Sequence, residues 1–513
     1  MKSKLLTRIL LITLALLTVL SLAACNDKND QPPAGEDGTT ASQPDGTQPE
    51  NPDTGEDTTD DGETTTVEDG PDIPAGLTFG GDEFKIYIRG IGGDGVDYGA
   101  DLFVGYTLGA TPTAVERAVY NRMSDIADTY DVVFSVEVAD GGLDRNHVDN
   151  SAKTDVDVYD LIVDHGRFMF GYAEKNSLLD YANLPYVDTD QPWWNQEANE
   201  TFRTPGGKLF VMTGDISYLS VGTAFTMFFN KELVGAVEGL SSPYEEVYAD
   251  NWTFEVFENY VTTVDGSMNG TNTGVVGEDS FGYATAWWRG PVQMFYSTGG
   301  RVLERRNDAW KFTLNNETAN EALFDFRDLV FKSGSAHLES ADNYQNLQLS
   351  FMADQIAFFD DQLLGASVFK GSDVDFGLLP WPKYNDDVEE YYSAVDAGTN
   401  LYGVLRNTSE ENAKKVSAVL ESFAYLGSKD VIPFYFDTIL SYQYLKDDDS
   451  INMLNIIHEN LVLDFGYFYS GMQSTFRNLA IVADGDSLNQ GYNTDLPAAK
   501  EGLKKWDALD EEE

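Results

Sequence analysis

The sequence predicts an α/β protein folded in two lobes, on three observations. Strand and helix periodicities alternate through the first third of the folded part, an order that implies parallel βαβ units. After removal of a leader and a polar tail, roughly 430 residues remain, more than one hydrophobic core usually organises. Between Leu209 and Leu233, two apolar runs are joined by a segment built to cross between them.

Lys2, Lys4 and Arg8 precede an apolar run from Ile9 to Leu20. That run is too short to span a bilayer and has the form of a secretory h-region, so residues 1–24 are expected to be a signal peptide. It ends in Leu22-Ala23-Ala24-Cys25, which resembles the bacterial lipobox. The resemblance implies cleavage before Cys25 and acylation (diacylglyceryl, then palmitate-type N-acyl), with the protein held on the extracellular face of the cell membrane. Cys25 is the single cysteine of the chain, so the mature fold has neither an internal disulfide nor a thiolate metal site.

Residues 25–78 form an acidic linker of Asp, Glu, Thr, Gly, Pro and Gln with Lys28 its only base. Such a composition cannot bury enough apolar surface to offset the entropy of ordering, so a disordered, self-repelling tether is expected. The chain carries 86 acidic and 33 basic residues, of which the folded part keeps 71 and 29. A field of that sign opposes nucleic acid, anionic lipid and anionic substrates in general; a neutral ligand fits best.

Within the folded part, Phe84 to Ile88 alternates as a strand and runs into Arg89-Gly90-Ile91-Gly92-Gly93-Asp94-Gly95. Gly90, Gly92 and Gly95 satisfy G-x-G-x-x-G, but no helix pattern begins directly after them and acids surround them. A loop at the carboxyl end of a strand, where α/β sheets present ligand-facing loops, is the better reading. Val115, Val119, Met123, Ile126 and Tyr130 then recur at helical spacing after Pro112, Val132 to Val138 reads as a strand, and Tyr159 to Val163 as another.

In the crossing region, Leu209 to Met212 and Phe225 to Phe229 read as strands, and Thr253 as the N-cap of a helix with Glu255 in its first turn. Gly207-Lys208-Leu209-Phe210 with Gly214-Asp215, then Phe228-Phe229-Asn230-Lys231-Glu232-Leu233, then Asn251-Trp252-Thr253-Phe254-Glu255-Val256 together resemble the extracellular solute-binding proteins of carbohydrate ABC importers, the maltose-binding-protein-like group. The resemblance covers Phe79 to Trp506. It implies a periplasmic-binding-protein-like (type II) fold with a hinge at Asp215 to Gly222 and an interlobe cleft. Its segments would be 79–215 for the first lobe, 216–378 for the second, 379–428 returning to the first, and 429–513 a helical segment packing mainly on the second. Trp193-Trp194-Asn195, after Leu178 to Asp188, is similar to the family's segment before the hinge.

Farther on, Phe281-Gly282-Tyr283-Ala284-Thr285-Ala286-Trp287-Trp288-Arg289 leads to Gly299-Gly300, similar to an aromatic segment that lines the second lobe's cleft wall in the family. Glu317 to Phe331 is an amphipathic helix with Gly334 as C-cap. Ser350 to Asp361 is similar to the family's helix end feeding a buried strand, with Gln355 standing where a small residue is usual. Asp373 to Pro382 is similar to the strand that returns the chain to the first lobe. Thr408 with Glu411 has the form of a capping box, with Gly427 as C-cap, and helices are expected around Pro433 to Leu445 and Ser450 to Leu461, the latter opened by Asp447-Asp448-Asp449.

Catalytic and metal motifs are missing from this pattern. The four histidines, His147, His165, His337 and His458, never stand at i, i+4, and neither HExxH nor G-x-S-x-G occurs. Asp360 and Asp361 are adjacent on a strand and point to opposite faces, so they cannot flank one glycosidic bond. Asp484 to Asp495 has Asp at positions 1, 3 and 12 of a calcium-type loop but Leu488 and Asn489 at positions 5 and 6, and reads as an ordinary polar loop without metal.

What remains is recognition chemistry. The chain holds 8 Trp, 27 Tyr and 30 Phe, most of which must be core, yet sugar binding needs flat apolar faces beside carboxylates and amides. The residue types and the resemblance single out Tyr283, Trp287, Trp288, Asp360 and Asp361 as ligand contacts, with no cofactor. The sequence thus implies a monomeric, lipid-anchored, non-enzymatic protein that captures a carbohydrate and passes it to the transmembrane subunits of an ABC permease. A secreted polysaccharide-acting enzyme and a ligand-sensing lipoprotein without a transport role are the alternatives.

Overall fold

The computed structural model describes residues 70–511 apart from 93–95, 104–111, 155, 269–275, 278, 307–308, 340–343, 439–444, 446 and 470–486. The leader, Cys25, most of the acidic linker, Gly95 and Asp484 to Asp486 lie outside the described residues. None of the described helices is long and apolar enough to cross a membrane.

Two sheets carry the fold. In the first, β1 (Asp82–Ile88), β2 (Val132–Val138), β3 (Leu161–His165) and β12 (Asn400–Gly403) are ordered β12-β3-β1-β2. β1 is parallel to β2 and β3, as the alternating periodicities require, and β12 closes the edge antiparallel to β3. The helix Ala114–Tyr130 makes the β1 to β2 crossover. Its capping box is complete: Thr113 Oγ1 accepts from Glu116 N at 3.1 Å and Glu116 Oε2 accepts from Thr113 N at 2.7 Å. Val115, Val119, Met123, Ile126 and Tyr130 face inward, the stripe that the helical spacing predicts.

The second sheet contains β4 (Phe225–Asn230), β5 (Phe281–Ala286), β8 (Ala336–Glu339), β9 (Ile356–Gln362) and β10 (Phe376–Leu379), ordered β10-β4-β9-β5-β8. Here β5 runs parallel to β8 and β9, and β4 antiparallel to β9 and β10. Every residue of β4, β5 and β9 is buried, because the helices Phe254–Ser267 and Tyr344–Met352 cover the sheet. Smaller pairings are the hairpin β6 (Leu303–Arg306) with β7 (Ala309–Phe312) and the parallel pair β11 (Ser393–Ala394) with β13 (Leu461–Val462).

The chain passes from the first sheet to the second across 213–224, since Met212 bridges Tyr402 of β12 while Phe225 pairs with Gln362 of β9. It returns across 395–399: Val395 bridges Ala224, Asp396 N donates to Thr223 O at 3.0 Å, and Asn400 already pairs with His165.

Several expectations are corrected by the packing. Leu209 to Met212 forms no ladder beyond the Met212 bridge, because Leu209 spends its backbone on Asp180 Oδ1 and Tyr181 N and Phe210 packs on Trp506. The helix Glu410–Leu426 is capped by Ser409, whose Oγ accepts from Asn412 N at 3.3 Å, since Thr408 N is committed to a turn on Leu405 O. Gly427 does not stop that helix. The chain continues through a π-helical turn, Gly427–Val431, into the helix Ile432–Thr438, and a Cβ on Gly427 would lie 1.9 Å from Asp215 O, so the glycine serves close approach. From Ser487 the stretch expected as a polar loop is part of the helix Ser487–Ala508.

The C-terminal segment divides between the sheets. The helix Asp448–Glu459, capped by Asp447 Oδ1 on Ser450 N at 2.9 Å, packs on β10 of the second sheet. Ser487–Ala508 packs on the helix Gly166–Glu174 that follows β3, with Trp506 buried among Phe170, Phe210, Phe465 and Tyr469. That aromatic cage draws the last helix to first-sheet elements.

Candidate functional site

The carboxyl ends of the parallel strands β5 and β9 lie side by side, and β5 delivers Trp287-Trp288-Arg289 there. The turn is tight: Gly290 N donates to Thr285 Oγ1 at 3.1 Å, and a Cβ on Gly290 would come within 2.6 Å of the Phe326 ring. The helix Gly290–Tyr296 starts directly, with Pro291 in its first turn, so the three residues before it are left at the end of the sheet.

Trp287 and Trp288 are half-buried. Trp288 rests on Phe225 (ring centroids 5.8 Å) and Tyr344 (6.1 Å). Beneath it the fully buried Arg289 places its guanidinium 4.9 Å from the Trp288 ring and 5.1 Å from that of Phe359, and pairs with Asp361. Asp361 also accepts from Gln348 Nε2 at 2.8 Å, so its two oxygens are engaged by Arg289 and Gln348. A buried arginine needs such a partner, because an unpaired charge there would cost several kcal/mol.

Tyr283 and Asp360 do not reach this surface. Both are fully buried; the Tyr283 ring is packed edge-on to Phe257 and Trp381 at 5.1 and 6.1 Å. Burial pushes the Asp360 carboxyl up to about 7, with Arg289 opposing the shift. Of the five residues expected at the ligand, the structure therefore brings Trp287 and Trp288 to the surface, seats Asp361 under Arg289, and leaves Tyr283 and Asp360 in the core.

The carboxyl ends of the first sheet present a second group. Asp164 at the end of β3 accepts from His165 N at 2.8 Å and Tyr172 OH at 2.8 Å. The ring of His165 meets Ala397 O through Nδ1 at 3.1 Å; burial, with Arg89 and Arg167 nearby, pushes its pKa well below the usual histidine range, so the ring is neutral. The loop that follows β1 opens with Arg89, whose Nη1 donates to Gly398 O at 2.5 Å and whose guanidinium lies 3.7 Å over Tyr98. A Cβ on Gly90 would lie 2.4 Å from Ala139 O, which gives this glycine a packing reason and no phosphate role.

The two groups meet at residues 396–398. Gln362, the last residue of β9, donates from Nε2 to Asp396 Oδ2 at 2.6 Å, while His165 and Arg89 hold the next two residues. Sequence reasoning found the loop after β1 but not Gln362, Asp396, His165 or Gln348, which belong to no motif and converge only through the crossings between sheets.

Elsewhere, a cavity of about 680 Å³ at the amino ends of β1 and β3 is lined by Lys85, Asp160, Asn412 and Lys415; Asn412 Nδ2 donates to Asp160 Oδ1 at 2.6 Å, Lys415 stands 3.5 Å from Asp160, and Lys85 Nζ pairs with Glu83 at 3.8 Å. Among the described residues no group of three or more His, Cys, Asp or Glu side chains is placed to hold a metal ion.

No family model matches the sequence, and no curated protein matches it. Solved structures do. The ABC substrate-binding protein Lmo0181 from Listeria monocytogenes, in complex with cycloalternan, is similar at TM-score 0.51 and 14% identity over 83% of this chain and 99% of its own. The GacH receptor of Streptomyces glaucescens, solved unliganded and with acarbose, gives 0.51 and 13% over 84% and 99%. UgpB from Mycobacterium tuberculosis, in complex with glycerophosphocholine, gives 0.54 and 15% over 83% and 99%. With nearly the whole of each relative matched by two α/β sheets and the crossings between them, the chain has the two-lobed type II fold of ABC-transporter substrate-binding proteins.

Proposed function

We propose that this protein is a lipid-anchored extracellular substrate-binding protein that captures a sugar or oligosaccharide and delivers it to an ABC permease. The observation that carries the reading is Trp288: a half-buried indole stiffened by Phe225, Tyr344 and Arg289, at the carboxyl end of a sheet and beside the segments that cross to the other sheet. An aromatic face of that kind stacks on the C–H face of a sugar ring, while amides such as Gln348 and Gln362 and the carboxylate of Asp396 are hydrogen-bonding groups suited to hydroxyls. The similar proteins crystallised with cycloalternan and acarbose support a carbohydrate as cargo.

Closure follows from the connectivity. The two sheets are joined through 213–224 and 395–399, short segments that act as the hinge, and a ligand touching both walls makes its full set of contacts only when they approach. Trp287 and Trp288 touch the ligand, and Asp361 acts through Arg289, holding the ring it supports. Cys25 anchors the chain, and the acidic linker holds the binding part off the membrane.

Two measurements test this reading. A glycan array followed by calorimetry should yield a saccharide bound by the folded protein; no binding to any glycan sinks the sugar assignment. Membrane fractionation of Cys25→Ser should find the folded protein released, and continued tight membrane association sinks the lipid anchor.

A further inference from the structure

Beside the carboxyl end of β3, in the first sheet, Phe168 packs against two arginines from different elements. Arg145, after the β2 loop, places its guanidinium 4.8 Å from the Phe168 ring centroid, and Arg167, after β3, places its own at 5.5 Å. Both are exposed. Although the chain has 86 acidic residues against 33 basic, neither arginine has a carboxylate within 4 Å among the described residues.

The nearby carboxylates are otherwise engaged. Asp164 is buried and takes donors from His165 N, Leu143 N and Tyr172 OH. Asp144 caps its helix through Asn146 N and His147 N. Asp140, exposed in the same loop, stands within 4 Å of neither guanidinium.

Arg167 is also oriented in advance. Its backbone N–H donates to Ala397 O at 3.1 Å, and its Nε and Nη2 lie 3.3 and 2.9 Å from the ring nitrogens of His165, a neutral ring that can accept but cannot neutralise. Ala397 follows Asp396, the residue that Gln362 of the other sheet grips. A planar guanidinium held in place without a counterion is a receptor for a carboxylate or sulfate, and stacking on Phe168 keeps two of them together at a site where like charges repel.

From the Arg145–Phe168–Arg167 cluster we infer an anion subsite on the first-sheet wall, and hence that the ligand is an acidic saccharide whose rings stack on Trp288 while a carboxylate or sulfate ester meets the arginines. This rests on the carbohydrate reading above and narrows it. The net negative charge of the chain slows the approach of such a ligand but does not set the local potential at the two guanidiniums packed on Phe168.

Calorimetry on the full chain with three probes tests it: tetragalacturonate, a sulfated tetrasaccharide and the neutral maltotetraose. At least one acidic probe should bind about tenfold or more tighter than maltotetraose, and which one distinguishes carboxylate from sulfate. The advantage should shrink as NaCl rises from low concentration to roughly 0.5 M, where the Debye length falls to only a few Å. It should vanish in R145Q/R167Q while affinity for maltotetraose stays unchanged; the single variants serve if the double variant does not fold. Tighter binding of the neutral probe, or acidic binding unaffected by the substitutions, overturns the anion subsite and leaves the carbohydrate reading standing. Absence of binding to all three, in a protein that also binds nothing on a glycan array, overturns both.

Discussion

Gln362 and Asp396 are joined by a 2.6 Å hydrogen bond that ties the last residue of β9 in the second sheet to the segment entering β12 of the first. Gln362 is buried, and Asp396 keeps a second bond from Gly398 N at 2.8 Å, so the pair fixes the geometry where the two sheets exchange chain. Gln362→Leu deletes the donor and leaves the carboxylate oxygen facing an apolar group. Hydrogen bonds to charged groups contribute about 1.5–3 kcal/mol, and urea denaturation should register a loss of that order. No change in midpoint would mean that the bond does not hold the crossing.

Glu421 offers a sharper test of buried polarity. Its Oε1 accepts from Trp193 Nε1 at 2.9 Å and its Oε2 from Trp194 Nε1 at 3.0 Å, so one carboxylate serves two adjacent indoles. Glu421→Gln keeps the shape but turns an NH2 toward one indole N–H. At pH 8 this should cost about 1–3 kcal/mol, the penalty for a buried donor without an acceptor. At pH 5 the wild-type carboxyl is itself protonated, since burial pushes it up to about 7; the wild type gains the stability of that proton and the glutamine variant does not, so the difference between the two proteins should widen.

Several buried acids push stability in the same direction. Burial raises Asp101 to about 6 and Asp215, Asp360 and Glu421 to about 7, against roughly 3.9 for Asp and 4.3 for Glu in the unfolded chain. Between those limits the folded state binds protons that the unfolded state has released, so stability falls as pH rises. The contribution is fully present below about pH 4 and lost as pH climbs through 6 to 7. Differential scanning calorimetry should find a higher melting temperature at pH 5 than at pH 8, at about 2–4 °C for each kcal/mol lost. A melting temperature that rises across that window contradicts the assignment.

Elements with strong periodicity or local capping chemistry were legible in the sequence. Thr253 caps where its spacing says, and all five residues of the stripe read in Ala114–Tyr130 face inward, because these features depend on neighbours within one turn. Where a distant partner decides, local reading fails. Gly427 has the pattern of a helix stop, but its missing Cβ accommodates Asp215 O, more than two hundred residues away in sequence. Leu209 to Met212 looks like a strand, yet its partners are Asp180, Tyr181 and Trp506.

The site divides along the same line. Residue type and the resemblance singled out Trp287 and Trp288, and their place just after β5 leaves both half-buried at the surface. Tyr283 and Asp360 were not separable from them, since β5 and β9 are covered on both faces and an interior position has no sequence signature that distinguishes it from a cleft position. The Arg289 to Asp361 pair needs two strands brought into register, 72 residues apart.

The central claim is that the indole of Trp288 is a wall of the binding cleft. The most direct measurement is a calorimetric titration of the tightest glycan found on the array into wild type, Trp287→Ala and Trp288→Ala. Aromatic anchors at binding sites commonly cost about 2 kcal/mol or more on truncation, so Trp288→Ala should weaken binding roughly thirtyfold or more. The fold should lose less than the about 3–5 kcal/mol typical of a core Trp→Ala, because the ring is half-exposed. Unchanged affinity in both variants would contradict the account by removing this segment from the site.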